Sequence, residues 1–235
     1  MIQVVLPMAG EGLRFQTDYP NSYKPFIEID GKYLFQYALD SLNTIENLEL
    51  IFILRHEDVD HYAKIVKNEY PDAKIVILKS KTRGASETVL KASEHLSPNE
   101  KLLILDSDLT FESPDFLEFI KNSNDNENGF ATFNSSLQRF SYCQHVDGAV
   151  LRVAEKEVIS DRAIIGAYFF GSTSRFLNLA KGAISNEVPN VGEYYISPLY
   201  NKILELGQKV FCFEAASYSS LGTPEEIQEF LKKKS

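Results

Sequence analysis

The chain has 235 residues, 44% hydrophobic and 24% charged, which is enough apolar content for one sizeable core. Its 33 acidic and 24 basic residues give a net charge of -9, and the one dense basic run is Lys232, Lys233 and Lys234, so nucleic acid is not expected as a partner. No apolar run approaches the roughly 18 residues of a membrane span, no basic segment precedes the apolar start as in a signal peptide, and Cys143 and Cys212 lack metal-ligand spacing; the expectation is a reduced, cytoplasmic protein with no membrane partner.

Short β-branched runs alternate with amphipathic patterns along the chain. The spacing predicts a strand over 2–6 and then a helix over 33–42, with Leu34, Tyr37, Ala38 and Leu42 inward. A strand over 50–54 leads to a helix over 58–70, whose apolar face carries Val59, Tyr62, Ala63, Val66 and Tyr70. A strand over 75–78, a helix over 86–96 and a strand over 102–105 follow, and Ser113 caps a further helix with Pro114 at its first position. The Asn-rich stretch 122–129 reads as a surface loop. Strands over 130–133, 149–154 and 164–170 then come with little helix between them. A helix over 193–206, a strand over 210–213 and a last helix opened by the capping box Thr223-Pro224-Glu225-Glu226 complete the chain. This alternation predicts a Rossmann-like three-layer α/β/α fold around a mixed, mainly parallel sheet. It would form one domain, 1–235, with halves meeting near residue 125 and a small β subregion in the second.

In parallel α/β sheets ligands sit beyond the carboxyl ends of the strands. The first such end reads Leu6-Pro7-Met8-Ala9-Gly10-Glu11-Gly12-Leu13-Arg14-Phe15. Gly10 and Gly12 let backbone amides approach an anion. Arg14 follows at once, and Tyr23-Lys24-Pro25 lies ten residues on, where Pro25 should hold Lys24 extended and turned back over the glycines. A forked cation and a point-charge cation around open amides suit a triphosphate. Further along, Leu105-Asp106-Ser107-Asp108 closes an apolar strand with two carboxylates, a donor set suited to Mg²⁺.

These segments, with Gly31-Lys32-Tyr33-Leu34, resemble in order and spacing the sugar-phosphate nucleotidylyltransferases, and the likeness runs nearly the whole length of the chain. Tyr23 stands where that family usually has proline. The resemblance implies that the strand end and loop (Leu6, Met8, Ala9, Gly10, Glu11 and Gly12) meet the nucleotide. Arg14, Lys24 and Asp108 would be catalytic, with Asp108 as principal Mg²⁺ ligand and Asp106 as nucleotide contact and second ligand. Arg83, Gly84 and Ala85 would face the base, without the glutamine usual there, and Ser86 would cap the following helix. Glu155, Lys156, Gly166, Tyr168 and Glu193 would line the acceptor pocket, Lys156 on its phosphate. Many relatives carry a metal-binding aspartate two residues before the late Gly-Thr; Ser220 occupies that place here.

The implied reaction moves a nucleotidyl group from a nucleoside triphosphate to a phosphorylated small molecule, most simply a sugar 1-phosphate, and releases pyrophosphate. The nucleotide sugar would serve surface polysaccharide synthesis. An acceptor phosphate is already an anionic nucleophile at neutral pH, so no Ser-His-Asp or Cys-His set is needed. His56, His61, His95 and His145 receive no role. Three alternatives stay open: a cytidylyltransferase for phosphocholine or a phosphorylated amino acid, a glycosyltransferase using Asp106-Ser107-Asp108 as its metal motif, and a nucleotide-binding regulator without catalysis. Base, acceptor and homo-oligomerisation are not fixed by the sequence.

Overall fold

The computed structural model describes residues 1–20, 22–185 and 192–234. In chain order the first half contains β1 (Ile2–Met8), a small hairpin β2 (Glu28–Ile29) and β3 (Lys32–Tyr33), α1 (Leu34–Asp40), β4 (Leu48–Leu54), α2 (Val59–Glu69), β5 (Lys74–Ile77), α3 (Ala85–Lys91), β6 (Lys101–Leu105), β7 (Leu109–Glu112) and α4 (Pro114–Asn122). The second half contains β8 (Glu127–Asn134), β9 (Ser141–Val146), β10 (Ala149–Glu155), β11 (Arg162–Phe170), α5 (Thr173–Ser185), α6 (Leu199–Glu205), β12 (Lys209–Glu214), β13 (Ser217–Ser220) and α7 (Pro224–Lys234).

Nine strands form one sheet in the order β5-β4-β1-β6-β11-β8-β12-β10-β9. β5, β4, β1 and β6 are mutually parallel, and β11 joins β6 antiparallel. At the far side β9 also pairs with β11, through Ala163 and Tyr142, so the last five strands curl back on themselves. This curl is the small β subregion expected from the second half.

Alternation along β1 explains why the sheet is covered on both faces. Val4 and Leu6 point into one apolar layer with Phe35, Phe52 and Phe116, and Val5 points into the opposite layer with Val89, Phe170 and Phe176; all three β1 side chains are fully buried. A third, smaller cluster lies outside the sheet. There Phe15 packs with Leu34 and Tyr37 of α1, with Leu221, and with Ile227 of α7. Burying Phe15 contributes about 1.5–3 kcal/mol and anchors the glycine-bearing loop to the two helices beside it.

Several local expectations need correcting. Residues 193–198 precede α6 and are not helical; backbone bonds to the start of α3 hold them instead. Ser86 lies inside α3, whose cap position is Gly84, and its hydroxyl donates to the Tyr195 carbonyl. Ser113 precedes α4 as expected but makes no side-chain cap, and its hydroxyl oxygen is buried without a partner. Only half of the Thr223 capping box forms: Thr223 Oγ1 accepts from the Glu226 amide at 3.3 Å, but the Glu226 carboxylate turns away to Ser220 and Arg139. Part of the expected loop 122–129 is the start of β8.

Candidate active site

Two adjoining cavities open at the carboxyl ends of β1 and β6. The larger, about 950 Å³, is lined by Ala9, Gly10, Glu11, Gly12, Arg14, Lys24, Arg83, Gly84, Ala85 and Glu193. The smaller, about 220 Å³, is lined by Arg14, Asp106, Glu155, Lys156, Gly166 and Tyr168. Asp108, Arg14, Tyr195 and Gly222 line both.

The loop after β1 is tied back to the sheet. Tyr23 is 3% exposed; its hydroxyl donates to the Met8 carbonyl and accepts the Arg55 amide at 3.0 Å. That double bond pattern gives a physical reason for tyrosine at this position. Gly12 has φ 60, a left-handed conformation that glycine adopts without strain, and its α-carbon faces the Lys24 side chain. Lys24 is not held extended by Pro25 as expected: it begins a 3-10 turn with Pro25 and Phe26, and the extended residue is Tyr23, one position earlier. The turn still delivers the ammonium to the cleft, 2.5 Å from Asp108 Oδ2 and 5.3 Å from the Phe15 ring centre. Leu6 and Met8 do not reach the cavity, because strand alternation buries both side chains in the core; their neighbour Pro7 lines it.

Asp106 and Asp108 respond oppositely to similar surroundings. Burial and then the charge of Asp108 push the Asp106 carboxyl up to about 8. Burial also pushes Asp108 upward, but the charge and hydrogen bond of Lys24 outweigh it and hold that carboxyl below the usual range. Asp106 is turned toward β11 by its amide, which donates to the Gly166 carbonyl at 2.8 Å. Gly166, at φ 90 in an irregular stretch of β11, has no side chain to collide with the Asp106 carboxylate. This geometry puts Asp106 on the wall of the smaller cavity, away from the expected nucleotide side.

The second half supplies the remaining wall of that cavity. Glu155 Oε2 accepts from Ser197 Oγ at 2.6 Å and from Ser141 Oγ, which fixes the carboxylate at the rim. Lys156 follows in a left-handed conformation, φ 55, uncommon for a residue with a side chain. Its ammonium bonds the Tyr195 hydroxyl, and that contact raises its pKa. Glu193, expected beside the acceptor, lines the larger cavity, because the Tyr194 amide bonds the Arg83 carbonyl at 2.8 Å and pulls this segment onto the start of α3.

Motif reading missed several lining residues. Arg55 and Lys81 lie just past the ends of β4 and β5 and both approach Glu11, Lys81 at 2.8 Å and Arg55 at 4.0 Å. The strand-end rule that found Gly10 and Asp108 also applies to them. Arg139 and Tyr218 line the smaller cavity from parts of the chain without a recognisable spacing. Among the described residues no three acidic, histidine or cysteine side chains come close enough to form a complete metal site.

The fold that carries this cleft recurs in proteins of known structure. A nucleoside-diphosphate-sugar pyrophosphorylase from Vibrio cholerae RC9 superposes with TM-score 0.82 at 24% identity, covering 97% of this chain and 99% of that one. The inositol-1-phosphate CTP transferase from T. maritima gives 0.74 at 16% identity, covering 99% and 95%. Both likenesses establish the fold. Among curated sequences, the bifunctional protein GlmU of Methanococcus maripaludis strain C5 is 24% identical over 235 residues, covering 96% of this chain and 53% of that protein. The chain spans between 22% and 53% of the length of such curated relatives. The description of the MobA-like NTP transferase domain matches residues 4–175, which carry the glycine loop, Lys24, both aspartates and the Glu155–Lys156 rim, and on that match the chain belongs to the MobA-like NTP transferase family.

Proposed function

We propose that the chain moves an NMP group from a nucleoside triphosphate to a sugar 1-phosphate, giving a nucleotide sugar and pyrophosphate for surface polysaccharide synthesis. The observation that carries this reading is the meeting of the two cavities at Arg14 and Asp108. A triphosphate on the glycine loop and a phosphate beside Lys156 would bring their reacting atoms to that junction.

The work required is to hold several anions together and stabilise the charge that develops between them. Arg14, which lines both cavities, would take the departing pyrophosphate. Lys24 would take the α-phosphate and incoming oxygen, exchanging its carboxylate partner for phosphate. Asp108 and Asp106, two residues apart beyond the end of β6, both line the smaller cavity with hard oxygen donors, a set that fits Mg²⁺. Bound there with phosphate oxygens, the ion would supply charge neutralisation. Lys156 and the fixed Glu155 would hold the acceptor's phosphate and hydroxyls.

One observation favours a second acceptor class. Phe140, Tyr168, Tyr195 and Tyr218 line the smaller cavity together with Glu155 and Asp106. Aromatic faces beside carboxylates also suit a cationic acceptor such as phosphocholine. Pyrophosphate release, measured for five triphosphates against sugar 1-phosphates, phosphocholine and phosphorylated amino acids, separates the two. Release with a sugar 1-phosphate supports the proposal, and release confined to a cationic acceptor replaces it.

A further inference from the structure

The segment 193–198, expected to be helical, instead runs as a strap from the nucleotide side of the cleft to the acceptor side. One end is fixed to the start of α3. The Tyr194 amide donates to the Arg83 carbonyl at 2.8 Å, the Ser86 amide to the Tyr194 carbonyl at 2.9 Å, and Ser86 Oγ to the Tyr195 carbonyl at 2.7 Å. Tyr194, Ile196 and Ser197 are buried, Ile196 in the same apolar layer as Val89 of α3. Side chains of this one segment then reach both acceptor candidates at the end of β10. Ser197 Oγ donates to Glu155 Oε2 at 2.6 Å, and the Tyr195 hydroxyl meets the Lys156 ammonium.

Tyr195 stands where the two cavities meet. Glu193 lines the larger, Lys156 the smaller and Tyr195 both. The Tyr195 hydroxyl accepts from the Lys156 ammonium and donates to the Glu193 carboxylate, so the phenol is held in both hydrogen-bonding directions. Lys156 follows the last residue of β10 in a left-handed conformation, φ 55, beyond the support of the strand. A lysine side chain without an anchor samples many rotamers, and ordering it opposes binding. An ammonium carries three N–H donors. The bond to Tyr195 uses one and leaves the others for an acceptor phosphate.

We propose that Tyr195 is a positioning residue for the acceptor: its hydroxyl holds the Lys156 ammonium ready for the acceptor phosphate, and the bond from Ser86 holds Tyr195, so the helix that borders the nucleotide also places the lysine that receives the acceptor. The inference rests on the nucleotidyl-transfer reading. Ser86 is fully buried and lines neither cavity. An effect of its hydroxyl on the acceptor must therefore pass through this segment.

The test is steady-state pyrophosphate release by the full chain. Five triphosphates are tried with glucose 1-phosphate, N-acetylglucosamine 1-phosphate, phosphocholine and phosphoserine, and the pair that reacts is used throughout. Tyr195→Phe keeps the ring and removes the hydroxyl. It should raise the acceptor KM about tenfold, the scale of one hydrogen bond to a charged group, with kcat, the triphosphate KM and the thermal midpoint little changed. Combined with Lys156→Ala it should add nothing to the loss that Lys156→Ala causes alone, because the group to be positioned is gone. Ser86→Ala should raise the acceptor KM about threefold through the lost bond to the Tyr195 carbonyl. An unchanged acceptor KM in either single variant overturns the inference. Additive losses in the double variant also overturn it, since Tyr195 would then touch the acceptor itself. If Tyr195→Phe does not fold, Ser86→Ala combined with Lys156→Ala decides by the same comparison. Wild type that releases no pyrophosphate with any pair removes the transferase reading itself, an outcome distinct from wild-type kinetics in the variants.

Discussion

Asp106 and Asp108 sit two residues apart, and their opposite shifts make a test of the site that needs no substrate. The fold favours the protonated form of Asp106, whose folded value of about 8 lies above the ordinary 3.8. The folded state therefore binds more protons than the unfolded state between about pH 4 and pH 8, and stability falls across that window as pH rises. Asp106→Asn removes the titration. We expect its stability relative to wild type to be small near pH 4 and to grow by at least about 2 kcal/mol by pH 8 in metal-free buffer. Denaturant midpoints at several pH values check this, and a difference independent of pH would contradict the assignment. The glycine loop offers a second test at the same scale. A side chain on Gly12 would be strained at φ 60 and would meet Lys24 Cβ at 2.9 Å, so a change there disturbs a catalytic candidate as well as the loop. Gly10 has open space around it. Gly10→Val should leave the thermal midpoint within a few degrees and abolish triphosphate binding by calorimetry; retained binding would mean that the amides do not approach the phosphates.

At the scale of elements, the start of α3 and the segment 192–196 form one unit. Tyr194 exchanges backbone bonds with Arg83 and Ser86, at 2.8 and 2.9 Å, and a methyl group on Gly84 would lie 2.7 Å from the Tyr194 backbone. Gly84 is also at φ 136. Gly84→Ala should cost about 2–4 kcal/mol from overpacking and backbone strain together, and should raise the triphosphate KM, because the joint forms a wall of the larger cavity. A variant of wild-type stability would mean that the two segments separate easily. The same joint marks where the sequence stopped being legible. Strands such as β1, β4 and β6 were readable because burial on both faces leaves an unbroken apolar run, and α2 because its apolar residues recur at helical spacing. Gly10, Arg14, Lys24 and Asp108 were readable because ligands gather at strand ends. Residues 193–198 were misread as helix because their backbone bonds go to α3, a partner more than a hundred positions away that no local pattern records. The Glu226 side chain was misread for a related reason: its carboxylate reaches back across the turn into α7 to Ser220 and Arg139, and the capping box predicted a different destination for it.

At the scale of the molecule, the parallel half of the sheet and the curled half meet along one cleft, and each supplies one side of it. Lys156 belongs to the curled half, at the end of β10, and bonds the hydroxyl of Tyr195, which lines both cavities. Lys156→Ala should therefore raise the acceptor KM more than the triphosphate KM, and the reverse pattern in steady-state kinetics would exchange the roles of the two cavities. The central claim is that the acceptor oxygen attacks the α-phosphorus at the junction of those cavities. Phosphorus NMR of the complete mixture, with triphosphate, Mg²⁺ and acceptor phosphate, observes that choice of bond directly. The account predicts free pyrophosphate together with a new pair of coupled diphosphate resonances that joins the nucleotide α-phosphorus to the acceptor's phosphorus. Release of inorganic phosphate or of a nucleoside diphosphate, with the acceptor's resonance unchanged, would contradict it.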